Sequence, residues 1–268
     1  MTSEGSPTGP QPSAPPPPPV TTTVVESEWA RFLETLAAGG DGVWDLPTRL
    51  PGWRVEDLAR HVHWGMTLES EGLAGVQSSQ RARGRTLTVP RGQILTALRA
   101  AHEELVSLLR VTPHEPGATV PMPYGDVPLG LAVHVFAIEA AMHRSDLVHA
   151  VHGAAVDLAP AAVPSCALVL QAFWPALAAA STAAPDAGTA IRLMGETVAV
   201  AATFDGASWV ALTEDPGQRE TAPTVVVSGA DVPLLMFAYG RLPLAGSGLA
   251  VHGDHTLAER FKELVPGP

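Results

Sequence analysis

Cysteine is all but missing from this 268-residue chain. Cys166 is the single one, so an intrachain disulfide is excluded and the fold has to rest on packing. Its setting, the apolar run CALVLQAF, reads as a small core residue rather than a nucleophile. Lysine is equally scarce, with Lys262 alone. Charged residues make up only 16% and the formal net charge is −11. No Lys/Arg cluster offsets that charge, which repels phosphate backbones and anionic membranes and argues against nucleic acid or a membrane as partner. No apolar run approaches the roughly 20 residues of a bilayer-spanning helix. The first 20 residues have neither the basic start nor the apolar stretch of a signal peptide, so the expected location is cytoplasmic.

Apolar residues are plentiful, at 46%. That is enough for one large domain or two ordinary ones, each with a real core. The preference for Arg over Lys, with abundant Ala, Gly and Pro, has the character of high-GC coding.

Residues 1–20, ending in PPPPP, cannot build a packed core and are expected to form an extended or disordered tail. A helix from about Val24 to Ala38 follows, with Trp29, Phe32, Leu33 and Leu36 on one face and Gly39-Gly40 as its stop. Pro47 and Pro51 mark a loop. Apolar periodicity predicts further helices over Val55–Leu73, Arg91–Arg110 and Leu129–Val151. They are joined by a polar, basic connection (76–90) and a long loop rich in proline and glycine (111–128). Four amphipathic helices with a long crossover predict a four-helix bundle. After residue 152 the pattern changes. The segment PSCALVLQAFWPALAAAS reads as helical up to Pro175. Strand-like stretches follow in TAIRLMG, TVAVAATF, SWVALTE and TVVVSG, with Asp205-Gly206 as a hairpin turn. A helix over 230–239, a short strand LAVHG and a last helix over 255–264 close the chain. The expected class is α+β: a tail (1–20), a helical bundle (21–152) and a smaller domain with a mainly antiparallel sheet (153–268).

The chemistry begins with Glu139 and His143, four residues apart in VFAIEAAMHRSDLVHA. On a helix they share a face with Val135, Phe136, Ala140 and Leu147. A carboxylate and an imidazole aimed into an apolar surface are costly unless paired. A divalent metal is one such partner, with a third ligand from elsewhere in the chain; an ordinary solvated Glu–His pair is the other reading. His61 and His63, in DLARHVHWGMTLE, are the upstream donors. They lie about 200° apart on a helix, so at most one faces the site, and spacing does not choose between them. Two His and one carboxylate leave a position open on zinc, where a water or thiol can lose its proton. Asp146 is placed to accept a hydrogen bond from a ligating imidazole. Arg144 points about 100° away from His143 and reads as the partner of an acidic neighbour. His134 and His149 read as surface or core-edge residues.

Three segments resemble the mycothiol-dependent maleylpyruvate isomerase family. LPGWRVEDLARHVHW (50–64) is similar to its PGW-x-V-x-D-L-x-x-H signature, with His61 as the matching histidine. EAAMHRSDL (139–147) is similar to its E-x-x-x-H-x-x-D-L signature. VSGADVPLLMFAYGRLPL, followed by LAVHGDHTLAERF, resembles its C-terminal domain. The resemblance implies a DinB-like four-helix bundle and a sterol-carrier-like α/β domain. It implies a divalent metal, usually zinc, on His61, Glu139 and His143. It also implies a low-molecular-weight thiol, mycothiol in actinobacteria, in the cleft between the domains. The expected reaction is addition of the thiolate to an acidic, electrophilic substrate, in cis-trans isomerisation or S-transfer. Such chemistry needs a cation for the substrate or a developing enolate. Arg241 in YGRLP matches an arginine of the family at this place; its other reading is a cap on the preceding helix. Arg81, Arg83 and Arg85 either line the cleft mouth or form a solvated loop. The competing expectation is a non-catalytic protein that binds a thiol or small ligand and keeps the metal for structure.

Overall fold

The computed structural model describes residues 19–76, 88–154, 156–212 and 224–267. Most of the expected tail, and Arg81, Arg83 and Arg85, lie outside the described residues. The first helix, α1 (Pro19–Ala38), starts earlier than its apolar face predicts and takes in the last two residues assigned to the tail. Proline suits that position because a first-turn N–H has no partner inside the helix. Helices α2 (Val55–Leu73), α3 (Ile94–Val111) and α4 (Leu129–His152) complete a bundle. α1 packs along α4 and α2 along α3, with α1–α3 and α2–α4 contacts closing the square. α4 is buried on nearly every side from Ala132 to Val148, the pattern of a helix at the centre of a core rather than on its rim.

The stretch expected to be a loop before α4 contains a hairpin, β1 (Thr119–Met122) and β2 (Gly125–Pro128). Val120 pairs with Val127 and Met122 with Gly125. Its prolines are tolerated because a two-stranded ribbon consists of edges, where a missing donor breaks little. Val120, Met122 and Val127 turn inward onto the bundle, so the tip at Pro123 and Tyr124 reaches the α2 face.

The second half builds on α5 (Val163–Ala179), which runs through Pro175 instead of stopping there. The proline removes one backbone donor, but Trp174 and Ala178 on either side are buried and hold the last turn down. Trp174 meets Trp209 at 5.7 Å and Phe261 at 5.3 Å between ring centroids. By length and composition Pro160–Ala179 is long and apolar enough to cross a bilayer, which corrects the reading that no run is. Here Cys166, Leu170 and Trp174 face the core. A five-stranded sheet follows in the order β5 (Trp209–Ala211), β4 (Ala199–Phe204), β3 (Ala190–Met194), β6 (Val225–Ser228), β7 (Ala250–Gly253). Only β3–β6 is parallel, so the sheet is mainly antiparallel as expected. α6 (Asp231–Ala238) lies between β6 and β7. The last expected helix is broken at Arg260 into α7 (His255–Glu259) and α8 (Phe261–Leu264). Buried residues of both halves form one continuous core, pinned where Tyr239 Oη donates to the Cys166 carbonyl at 2.8 Å.

Candidate metal centre and the adjoining cavity

Two local structures aim the side chains. Before α2, Gly52 takes a φ of 80°, a left-handed value that favours glycine. The PGW segment thereby closes a tight turn, in which Thr48 N donates to the Trp53 carbonyl and Trp53 N to the Leu50 carbonyl. Trp53 is thus laid against the His61 ring, at 5.0 Å and 67°. Asp57 accepts from the Arg54 N–H at 2.9 Å and caps the start of α2. On α4, the four-residue spacing brings His143 Nε2 to 3.2 Å from Glu139 Oε2. The His61 and His143 rings stand edge to face, 4.9 Å apart.

One potential ligand atom from each of His61, Glu139 and His143 lies within 4.8 Å of the others. Two ligands at about 2.0–2.1 Å from a tetrahedral ion sit roughly 3.3 Å apart, close to the Glu139–His143 separation. The nitrogen–oxygen donor set also suits zinc. His63 stands outside this cluster. Asp146, fully buried, lies 3.3 Å from His143 Nδ1. That contact places the Nδ1 proton toward the carboxylate and leaves Nε2 toward Glu139 and His61.

Asp146 is itself held by two arginines. Arg241 reaches its oxygens at 3.4 and 3.3 Å, and Arg49 Nε approaches at 3.5 Å. Arg241 also donates to the Tyr239 carbonyl at 2.8 Å, so it caps the C-terminal end of α6 and faces the cavity as well. Arg49 donates to the carbonyls of Ser145 and Arg241, tying α4 to the loop after α6. Arg49 was not singled out in the sequence, because a loop arginine has no periodicity to give its direction away. Arg144 turns away to Glu28 and Asp157, as its helical position predicts. His134 bonds Ser165 and His149 bonds the Ala154 carbonyl, both apart from the triad.

These neighbours set the protonation preferences. Burial alone would depress the His143 imidazole, but its hydrogen bonds to Asp146 and Glu139, with their charges, raise it to about 9. His61 moves the other way, to about 4, through burial and repulsion from His143. Glu139 and Asp146 are held low: their burial is outweighed by His143 first and by Arg241 among the other cations. Two carboxylates and a ring that prefer to hold one extra positive charge among them form a centre suited to a cation.

A cavity of about 480 Å³ opens onto the triad. Its walls include Trp53, Trp64 and Leu68, the hairpin residues Met122 and Tyr124, and Arg241. Glu69 and Gly65 also line it. Glu69 is 3% exposed, and its Oε2 has no hydrogen-bond partner among the described residues. Burial and the Glu139 charge push its carboxyl well above the usual range. It lies eight residues after His61, two turns along and about 80° round the helix, and that spacing was the signal available in the sequence. Gly65, mid-helix, costs roughly 1 kcal/mol relative to alanine.

Residues 25–148 match the family model described as the mycothiol maleylpyruvate isomerase N-terminal domain. No match was found among curated proteins. Two solved structures are similar in fold. One is described as the mycothiol-dependent maleylpyruvate isomerase, with 19% identity and a TM-score of 0.56, over 87% of this chain and 93% of that one. The other is a point mutant of that isomerase, with 18% identity, the same TM-score and the same coverage.

Proposed function

We propose, from the premise that residues 25–148 belong to the mycothiol maleylpyruvate isomerase N-terminal domain family, that the chain is a metal- and thiol-dependent enzyme acting on a small acidic electrophile. The observation that carries this reading is the convergence of His61, Glu139 and His143 within 4.8 Å at the wall of a cavity. In this reading the chain divides into a metal-binding bundle (21–152) and an α+β unit (153–268) that contributes Arg241 to the bundle's cavity.

The three residues would hold a divalent cation, with zinc the ion that best suits them. Such an ion supplies one thing, a preference for the thiolate form of mycothiol at neutral pH. The remaining work falls to the chain. Asp146 fixes the orientation of His143 through Nδ1. The apolar walls of Trp53, Trp64, Leu68 and Met122 lower the polarity around the site, which strengthens charge interactions inside. Arg241 is the cation at the cavity edge for a substrate carboxylate or a developing enolate oxygen. In isomerisation the sulfur adds to one carbon of a cis double bond, and the displaced electron pair moves onto the conjugated carbonyl oxygen. The new single bond rotates, the pair returns, and the sulfur leaves as the trans product forms. In S-transfer the carbon–sulfur bond remains, and the enolate takes up a proton or expels a leaving group with its electron pair.

The assay is direct. Zinc-loaded protein incubated with mycothiol and maleylpyruvate is expected to produce fumarylpyruvate, and to stop when the thiol is withheld. Full turnover without thiol contradicts the mechanism. The competing reading, a non-catalytic thiol or small-ligand binder, draws on the engagement of Arg241 with Asp146 and Tyr239. Thiol binding with neither isomerase nor transferase turnover favours it.

A further inference from the structure

His61, Gly65 and Glu69 line the cavity at four-residue intervals along α2. They form one file that winds about 80° round the helix while rising about 12 Å, with all three residues on the cavity wall. The first residue is a member of the triad. The second has no side chain, and neither packing nor backbone geometry requires that. A Cβ at Gly65 would meet nothing within 4 Å, and its φ is not among the positive ones. What the glycine preserves is free space along the cavity wall. The third is a carboxyl that is 97% buried by its 3% exposure, with Oε2 unpartnered among the described residues. Buried polar groups left in that state carry a desolvation penalty, and they usually find a partner in a ligand or water. Trp64 lines the same wall, and its indole N–H is likewise without a partner.

We propose that this file seats the non-reacting body of the thiol cosubstrate, with sulfur at the triad, the ligand chain over the bare backbone of Gly65, and a ligand hydroxyl or amide hydrogen-bonded to Glu69. The assignment rests on the metal- and thiol-dependent reading above and adds a specificity to it. The cavity selects a thiol that carries a polar extension roughly as long as the file over a short thiol that ends near the metal. A hydroxyl is complementary to Glu69 in either protonation state, because it both donates and accepts. The terminal torsion of a glutamate is broad, so either carboxyl oxygen can turn to the cavity. Leu68 and Met122 offer apolar surface to the carbon skeleton between the two ends.

The test uses the full chain loaded with zinc. Mycothiol, and N-acetylcysteine as the short thiol, are titrated calorimetrically into wild type, Gly65→Leu, Gly65→Ala and Glu69→Leu. Wild type is expected to bind mycothiol at least tenfold more tightly than N-acetylcysteine. Gly65→Leu and Glu69→Leu are expected to remove most of that advantage, with N-acetylcysteine affinity and zinc content retained. Gly65→Ala, the variant with the least risk to folding, is expected to show a smaller loss of mycothiol affinity with a raised melting temperature. Variants that bind mycothiol as wild type does, with turnover intact, overturn the groove and leave the functional reading standing. Loss of zinc in the variants also overturns it, since Gly65 and Glu69 would then be supports of the triad. A zinc-loaded wild type that binds neither thiol overturns both.

Discussion

The two ends of the cavity are built on opposite principles. At the triad end the polar side chains are linked in series: His143 contacts Glu139 and Asp146, and Asp146 is held by Arg241 and Arg49. Such a network fixes rotamers and charge before anything binds. At the far end, two turns along α2 from His61, Glu69 carries a carboxyl oxygen with no partner among the described residues, beyond a glycine that fills no space. The difference separates tasks. The paired end is organised for chemistry that needs fixed geometry. The unpaired end keeps an unfavourable arrangement that a ligand would relieve, as binding regions do when stability is given up for function.

Substitutions at the two ends should therefore change stability in opposite directions. The largest effect is expected from Asp146→Asn. It removes the carboxylate shared by two buried arginines and by His143, so the protein should lose about 3–5 kcal/mol. Metal affinity should fall about 10–100-fold, because the imidazole loses its orienting acceptor. Denaturant unfolding and chelator competition measure the two losses; a variant unchanged in both would show that the network organises nothing. At the other end Glu69→Leu should stabilise the protein, by about 1–3 kcal/mol, since it replaces a buried carboxyl whose Oε2 has no partner among the described residues with an apolar side chain of similar size. Destabilisation of that variant would show that Glu69 is a satisfied structural residue, and the contrast between the ends would disappear.

The helical frame was readable because its signal is periodic. The apolar spacing in α2 and α4 placed their ends within a residue, and the Glu139–His143 pair followed from the same geometry. Where tertiary contacts override local preference, the reading failed. Pro175 looked like a stop, yet burial of Trp174 and Ala178 carries α5 past it. Three prolines and a glycine in 119–128 looked like a loop, yet a lone hairpin tolerates them. In the site, spacing alone left His61 and His63 equal, and only the resemblance to the family's PGW signature chose His61; the structure adds that the turn in this segment packs Trp53 on the His61 ring. Arg49 was invisible for a different reason: its importance comes from contacts with Asp146, Ser145 and Arg241, which are remote in the chain. Glu69 was readable in principle, as the residue eight positions after His61, but its place in the sequence does not show that its Oε2 lacks a partner among the described residues.

That His61, Glu139 and His143 form one cation site is tested by zinc binding followed across pH. Without a cation His143 is raised to about 9, above its ordinary value near 6.5. Its protonated form therefore contributes stability to the metal-free protein that is complete below about pH 6.5 and lost as pH rises through about 9. The same proton competes with the metal. Wild type is expected to bind zinc stoichiometrically, with affinity rising up to about tenfold per pH unit between about pH 6.5 and 9, while His61→Ala, Glu139→Ala and His143→Ala each abolish stoichiometric binding. A wild-type protein without stoichiometric zinc, or alanine variants that bind it as tightly as wild type, would show that the three residues form no cation site.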